Sequence, residues 1–211
     1  QIFFRPYGKQ YAAVLKCFSH FFVQNDLSKE LLAKIGINSV TVVGDTRFDR
    51  VLQIKEASKH LPLVEKFIGY DERKSDEGGT EKQRPVFVAG SSWLPDEEIF
   101  IQYFNEHNDW KLIIAPHVIA ENHLQQILQL LKGKETVLYT EATETDIADA
   151  DVLIINCFGL LSSIYHYGDV AYVGGGFGVG IHNVLEAAVW GMPVVFGPNN
   201  KRFAEAQGLL A

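Results

Sequence analysis

Cysteine is scarce in this chain. Cys17 and Cys157 are the only two in 211 residues, and they stand far apart without a metal-type spacing. They read as reduced thiols in a cytosolic setting rather than as a disulfide framework. Long apolar runs are missing as well. No stretch approaches the roughly 20 residues of a membrane-spanning helix, and no signal-peptide pattern is visible. Positive charge is in deficit: 19 Lys and Arg face 26 Asp and Glu, a formal net charge of −7. That balance argues against a nucleic-acid groove. His20, His60, His107, His123 and His166 show no metal-ligand spacing, so no metal is expected, and His107 and His123 are expected at the surface. No repeat of solenoid period is present.

Apolar mass is plentiful. Hydrophobic residues make up 47% of the chain, enough for one large domain or one and a half. Strands are predicted at 21–24, 40–44, 85–90, 111–116, 136–140, 151–155, 169–175 and 193–197. Helices are predicted at 26–35, 47–58, 95–107, 120–132, 160–167 and 182–190. Several strand runs are apolar throughout, which fits a sheet buried on both faces. The alternation predicts an α/β fold with a Rossmann-like parallel sheet flanked by helices. "GYDERKSDEGGTEKQR" (69–84) is charge and glycine, a solvated loop. "VTVVG" and "PVFVAG" are expected to be neighbouring strands of one core. Gln1 opens without Met, and the chain stops at "FAEAQGLLA" inside a helical pattern, so a piece of a longer protein is expected.

The stretch from Gly174 to Pro198, "GGGFGVGIHNVLEAAVWGMPVVFGP", places five glycines in its first seven residues. Glycines after a parallel strand permit positive φ and close approach of a flat or anionic group. The spacing is neither the dinucleotide fingerprint nor a Walker loop, because Ile181 and His182 follow where Lys and Ser/Thr belong. Two readings of "HNVLE" stay open. In one, Asn183 caps a helix and Glu186 reaches back to its backbone N–H, a capping box. In the other, Glu186 binds a ribose diol while the turn and the helix start at His182–Asn183 hold a phosphate.

The same residues resemble the nucleotide-sugar signature of GT-B glycosyltransferases. They are similar in particular to the 3-deoxy-D-manno-octulosonic acid (Kdo) transferases, with their GGS-x(4)-GGHN-x-LE-A block and later GP. "VTVVGDTRFD", "VFVAGSSWLPDEE", "LIIAPHVIAEN" and "NCFGLLSSIYHYGDVAYVGG" match further family stretches in order, over about residues 20–211. The chain departs at Gly176 (family Ser), Ile181 (Gly), Pro116 (Arg) and Leu160 (Glu).

The resemblance implies one half of a GT-B enzyme. Residues 1–20 would be the tail of an N-terminal acceptor domain or a linking helix, and 21–211 a CMP-Kdo-binding domain truncated at its C-terminus. It implies transfer of Kdo from CMP-Kdo to a lipid A precursor at the cytoplasmic face of the bacterial inner membrane, with no cofactor. The parent protein would contact the membrane. The donor site it implies comprises Gly174, Gly175, Gly176, His182, Asn183, Glu186 and His117. Backbone at Phe158 and Gly159 would meet the base, Arg47 is a candidate cation, and Ser91 and Ser92 are candidate hydroxyl donors. Arg47 has the alternative of pairing with Asp45 or Asp49, and the two serines of beginning a helix. Glu97 and Glu98 are expected to be solvated or first-turn charges. The catalytic base is expected in the other domain, so this piece alone would be inactive. Alternatives are a UDP-sugar-dependent GT-B transferase or sugar-nucleotide epimerase domain, and a non-catalytic nucleotide-binding module.

Overall fold

The computed structural model describes residues 9–45, 47–69 and 84–210. The chain forms two compact units, divided between Leu52 and Gln53. The first contains α1 (Lys9–Leu15), β1 (Phe21–Val23), α2 (Asp26–Ala33), β2 (Val40–Val42) and the start of α3 (Arg47–Glu56). Strands β1 and β2 pair in parallel, Phe21 opposite Val40, as a two-stranded sheet of their own. Asn25 starts α2 by accepting the Ser28 N–H at 2.9 Å.

The second unit continues with α4 (Pro62–Ile68), β3 (Val86–Ser92), α5 (Leu94–Glu106), β4 (Lys111–Pro116), α6 (Glu121–Leu130) and β5 (Thr136–Leu138). Then come α7 (Asp146–Asp149), β6 (Val152–Ile154), α8 (Leu161–Ile164) with a 3₁₀ turn at Tyr165–Tyr167, β7 (Val170–Val173), α9 (Leu185–Ala188), β8 (Val194–Phe196) and α10 (Ala204–Leu210). Its six strands are parallel, in the order β5-β6-β4-β3-β7-β8.

The apolar runs explain the layers. Every residue of β4 and β6 is buried. Val88, Ile113, Leu153 and Ala171 face one core, which includes Val64 and Phe67 of α4 and Ala187 of α9. Ala89, Leu112, Ile114 and Tyr172 face the other, under Phe100 and Phe104 of α5 and Leu124 and Ile127 of α6. Helices therefore cover both faces, as the uninterrupted hydrophobic strands require.

All eight predicted strands are present, but the expectation of one continuous sheet is corrected. Strand β3 already has β4 on one edge and β7 on the other, so it has no free edge for β2. The helix predicted over 182–190 is also shortened, to Leu185–Ala188. Helix α4 was missed although its signals are in the sequence: Pro62 opens it and Gly69, at φ 75°, closes it left-handed. The predicted loop over 69–84 lies almost wholly outside the described residues.

Candidate functional site

The chain leaves β3 toward β4 on one side and returns to β7 on the other. A parallel sheet opens its ligand crevice at the carboxyl ends of the strands where the order reverses, here β3 and β7. Strand β3 ends irregularly there. Its register against β4 slips between Gly90 and Ser92, and Ser91 takes a left-handed backbone at φ 52°. Such a conformation is unfavourable for a residue with a Cβ and persists only where its surroundings hold it.

The glycines after β7 are explained first by the protein's own backbone. A Cβ on Gly174 would lie 2.3 Å from the Ser91 carbonyl oxygen and 2.5 Å from Ser92 Cα. One on Gly176 would lie 2.5 Å from Gly197 Cα, and one on Gly175, at φ 93°, 2.3 Å from the Gly180 carbonyl oxygen. The close approach these glycines allow is thus between neighbouring chain segments. Asp96, 1% exposed, fastens the same turn. One carboxylate oxygen accepts the Gly175 N–H at 2.8 Å and the Trp93 N–H at 2.9 Å, and the other accepts the Tyr172 hydroxyl at 2.6 Å. Burial, reinforced by Asp96, pushes the Tyr172 phenol well above its ordinary value.

Three rings gather above this turn. His117 follows β4, Trp93 follows β3 and His182 follows the glycines. His117 stacks on Trp93 with centroids 4.6 Å apart and on His182 at 4.4 Å. Trp93 Nε1–H donates to His182 Nε2 at 3.0 Å. Burial and the nearby His117 lower the His182 pKa below its ordinary 6.5, with Asp96 opposing them. His182 therefore stays neutral in the folded protein over a range where the unfolded chain binds a proton. The stability this contributes is complete above about pH 6.5 and is lost as pH falls toward the folded value. An NMR titration of the His182 ring protons is expected to give a midpoint below 6.5. A midpoint at or above that value would contradict the packing described.

Beside His117 lies a pocket of about 210 Å³. Ser91, Pro116, His117, Cys157, Phe158 and Gly159 line it, at the carboxyl ends of β3, β4 and β6. Phe158 is 82% exposed at its rim, and Gly159 turns the chain at φ 81°. Burial pushes the Cys157 thiol up, away from the thiolate.

Helix α9 begins later than expected. Asn183 Oδ1 accepts the Leu185 N–H at 3.2 Å, and the His182 N–H bonds to the Gly174 carbonyl at 3.1 Å. Glu186 Oε1 accepts the Asn183 side-chain amide at 3.0 Å. The capping box is thus replaced by a side-chain pair, and the helix tip expected at His182–Asn183 is absent. Arg47 opens α3 in the first unit, and its side chain lies outside the described residues.

Several expectations change. Glu97 stands in the first turn of α5, as one of its two readings had it, but is fully buried rather than solvated; its Oε1 accepts the Ser92 hydroxyl at 2.8 Å and faces His123 Nε2 at 3.2 Å. Burial pushes the Glu97 carboxyl up, against the pull of Ser92 and His123. His123 is accordingly half-buried, not a surface residue, and Ser92 is committed to Glu97. Glu98 is exposed. Trp93 and Asp96 were missed as site residues. The available signal was a tryptophan and an acid placed just after a strand that ends at the crevice. Two departures from the resembled motif serve packing: Ile181 is buried and Leu160 packs against the same core. Among the described residues, no three His, Cys, Asp or Glu side chains group to hold a metal ion. No described helix is long and apolar enough to cross a membrane.

A two-faced parallel α/β sheet whose strand order reverses between β3 and β7 is Rossmann-like, of the kind found in GT-B glycosyltransferases and sugar-nucleotide epimerases. Solved structures agree. The fold matches the C-terminal CMP-Kdo binding domain of WaaA from Acinetobacter baumannii with a TM-score of 0.53 and 20% identity, over 71% of this chain and 77% of that one. It matches UDP-GlcNAc 2-epimerase from Neisseria meningitidis with a TM-score of 0.51 and 15% identity, over 88% of this chain and 45% of that one.

Within that class, the sequence is similar to the 3-deoxy-D-manno-octulosonic acid transferases, as its motifs led us to expect. The transferase of Aquifex aeolicus is 31% identical over 141 residues, 62% of this chain and 38% of that protein. That of Rickettsia bellii is 26% identical over 204 residues, 93% of this chain and 45% of that protein. A bifunctional glycosyltransferase/methyltransferase of Fusobacterium nucleatum is 27% identical over 191 residues, 88% of this chain and 28% of that protein. No family model matches. The chain spans less than half the length of these curated relatives.

Proposed function

We propose that this chain is the donor-binding half of a glycosyltransferase that moves Kdo from CMP-Kdo to a lipid A precursor. The observation that carries the reading is the pocket at the ends of β3, β4 and β6, walled by His117, whose ring stacks on His182 at 4.4 Å. At about 210 Å³ it is smaller than the roughly 300–1,000 Å³ of a whole-ligand site and suits a single pyrimidine ring. Backbone groups at Phe158 and Gly159 meet the edge of the base. Glu186, oriented by Asn183, bonds the ribose hydroxyls. The imidazoles of His182 and His117 lie toward the phosphate, where negative charge grows as CMP departs.

The acceptor hydroxyl and the carboxylate base that deprotonates it belong, in this reading, to the acceptor-binding half, with residues 1–20 as its tail or a linking helix. The parent protein then works at the cytoplasmic face of the inner membrane, and 21–211 bind donor without turnover.

Calorimetric titration with CMP and UMP tests the reading, with CMP expected to bind more tightly. The likeness to UDP-GlcNAc 2-epimerase favours a UDP-sugar as the second reading, and tighter UMP binding would select it. Glu186→Ala is expected to weaken CMP binding by about 1–3 kcal/mol, the cost of an unmet polar contact. If Glu186 serves only Asn183, the melting temperature falls while the affinity of the folded protein is unchanged.

A further inference from the structure

The Trp93 and His182 ring planes differ by only 12°, and their centroids are 6.4 Å apart. Parallel rings at that separation lie side by side rather than face to face. The 3.0 Å bond from Trp93 Nε1 to His182 Nε2 therefore runs edge to edge, within the ring planes. His117 lies over both rings and holds them in register. An indole nitrogen can only donate, so His182 Nε2 must accept. A neutral imidazole that accepts at one nitrogen carries its single proton on the other. That proton is on Nδ1, which has no protein partner among the described residues. The titratable groups facing His182 are His117 and Asp96, and burial opposes the doubly protonated ring.

We infer that Trp93 is a positioning residue: its indole N–H holds His182 as the Nδ1–H tautomer, which donates that proton to a phosphate oxygen of the bound nucleotide. Free imidazole side chains favour the opposite tautomer, Nε2–H, so without the indole most of the population would present a bare nitrogen to the anion. The hold on the tautomer is a property of the free protein. Only the choice of phosphate as acceptor rests on the donor-site reading above.

Long-range ¹H–¹⁵N correlation of the histidine rings, recorded near pH 7.5 without ligand, tests the hold directly. In the wild-type protein His182 is expected to show a protonated Nδ1 and an unprotonated Nε2. In Trp93→Phe, which keeps an aromatic ring under His117 but lacks the N–H, the signals are expected to shift toward Nε2–H. The Kd for CMP should then rise roughly three- to tenfold as the competent fraction falls. A wild-type His182 protonated at Nε2 overturns the role of Trp93 whatever CMP does, and needs no variant to fold. A tautomer and a Kd both unchanged in Trp93→Phe overturn it as well. A wild-type Nδ1–H in a protein that does not bind CMP overturns the donor-site reading and with it the phosphate acceptor.

Discussion

Asp96→Ala is expected to destabilise the second unit by about 3–5 kcal/mol. The carboxylate is the shared acceptor for the Trp93 N–H, the Gly175 N–H and the Tyr172 hydroxyl, and it is buried. Each buried donor left unmet costs about 1–3 kcal/mol; the Gly175 and Tyr172 donors are buried and that of Trp93 part-buried, and losses within one network do not add fully. Asp96→Asn provides the contrast. Its amide oxygen can turn to the two backbone N–H groups while its NH₂ meets the Tyr172 hydroxyl, which can accept as well as donate. The asparagine variant should therefore lose only about 1–2 kcal/mol, the charge-assisted part of the bonding. Urea unfolding of the three proteins measures the difference. An alanine variant within about 0.5 kcal/mol of wild type, the ordinary surface range, would show that the carboxylate is not the fastening point.

Gly174→Ala should be at least as damaging, for a different reason. Its new Cβ would sit 2.3 Å from the Ser91 carbonyl oxygen and 2.5 Å from Ser92 Cα. Both are backbone atoms, so no rotamer change relieves the clash and the ends of β3 and β7 must part. Overpacking typically costs about 1–3 kcal/mol, and a backbone-to-backbone clash belongs at or beyond the top of that range. Gly178→Ala is the control in the same bend. Its Cβ would meet nothing closer than 3.9 Å, and its φ is not positive. A change within about 0.5 kcal/mol is expected there. Equal losses at the two positions would mean that glycine is needed for general chain freedom rather than for the contact at Gly174.

These substitutions also mark where the sequence was legible and where it was not. The strands were readable because runs such as "KLIIAP" and "DVLII" have no polar face, and the two-faced sheet followed from them. His117, Phe158, Gly159 and Ser91 converge on one pocket, as a parallel sheet brings its strand ends together. The start of α9 was misplaced because Asn183 bonds the Leu185 N–H, a choice between local hydrogen bonds that spacing alone does not settle. The first-turn place of Glu97 was legible but its burial was not, because its partners Ser92 and His123 belong to β3 and α6, and the burial of a carboxylate depends on such distant company. Trp93 was overlooked since its partner, His182, is 89 residues away.

Glycine-rich bends are commonly taken for hinges, and the one after β7 is the reverse. Its first amide is tied to Gly90, its second to Asp96, and its third residue abuts Gly197. Strand β3, helix α5 and the residue after β8 thus hold a segment whose composition alone suggests slack. Amides tied in this way are expected to exchange slowly with solvent, which those of a hinge would not do.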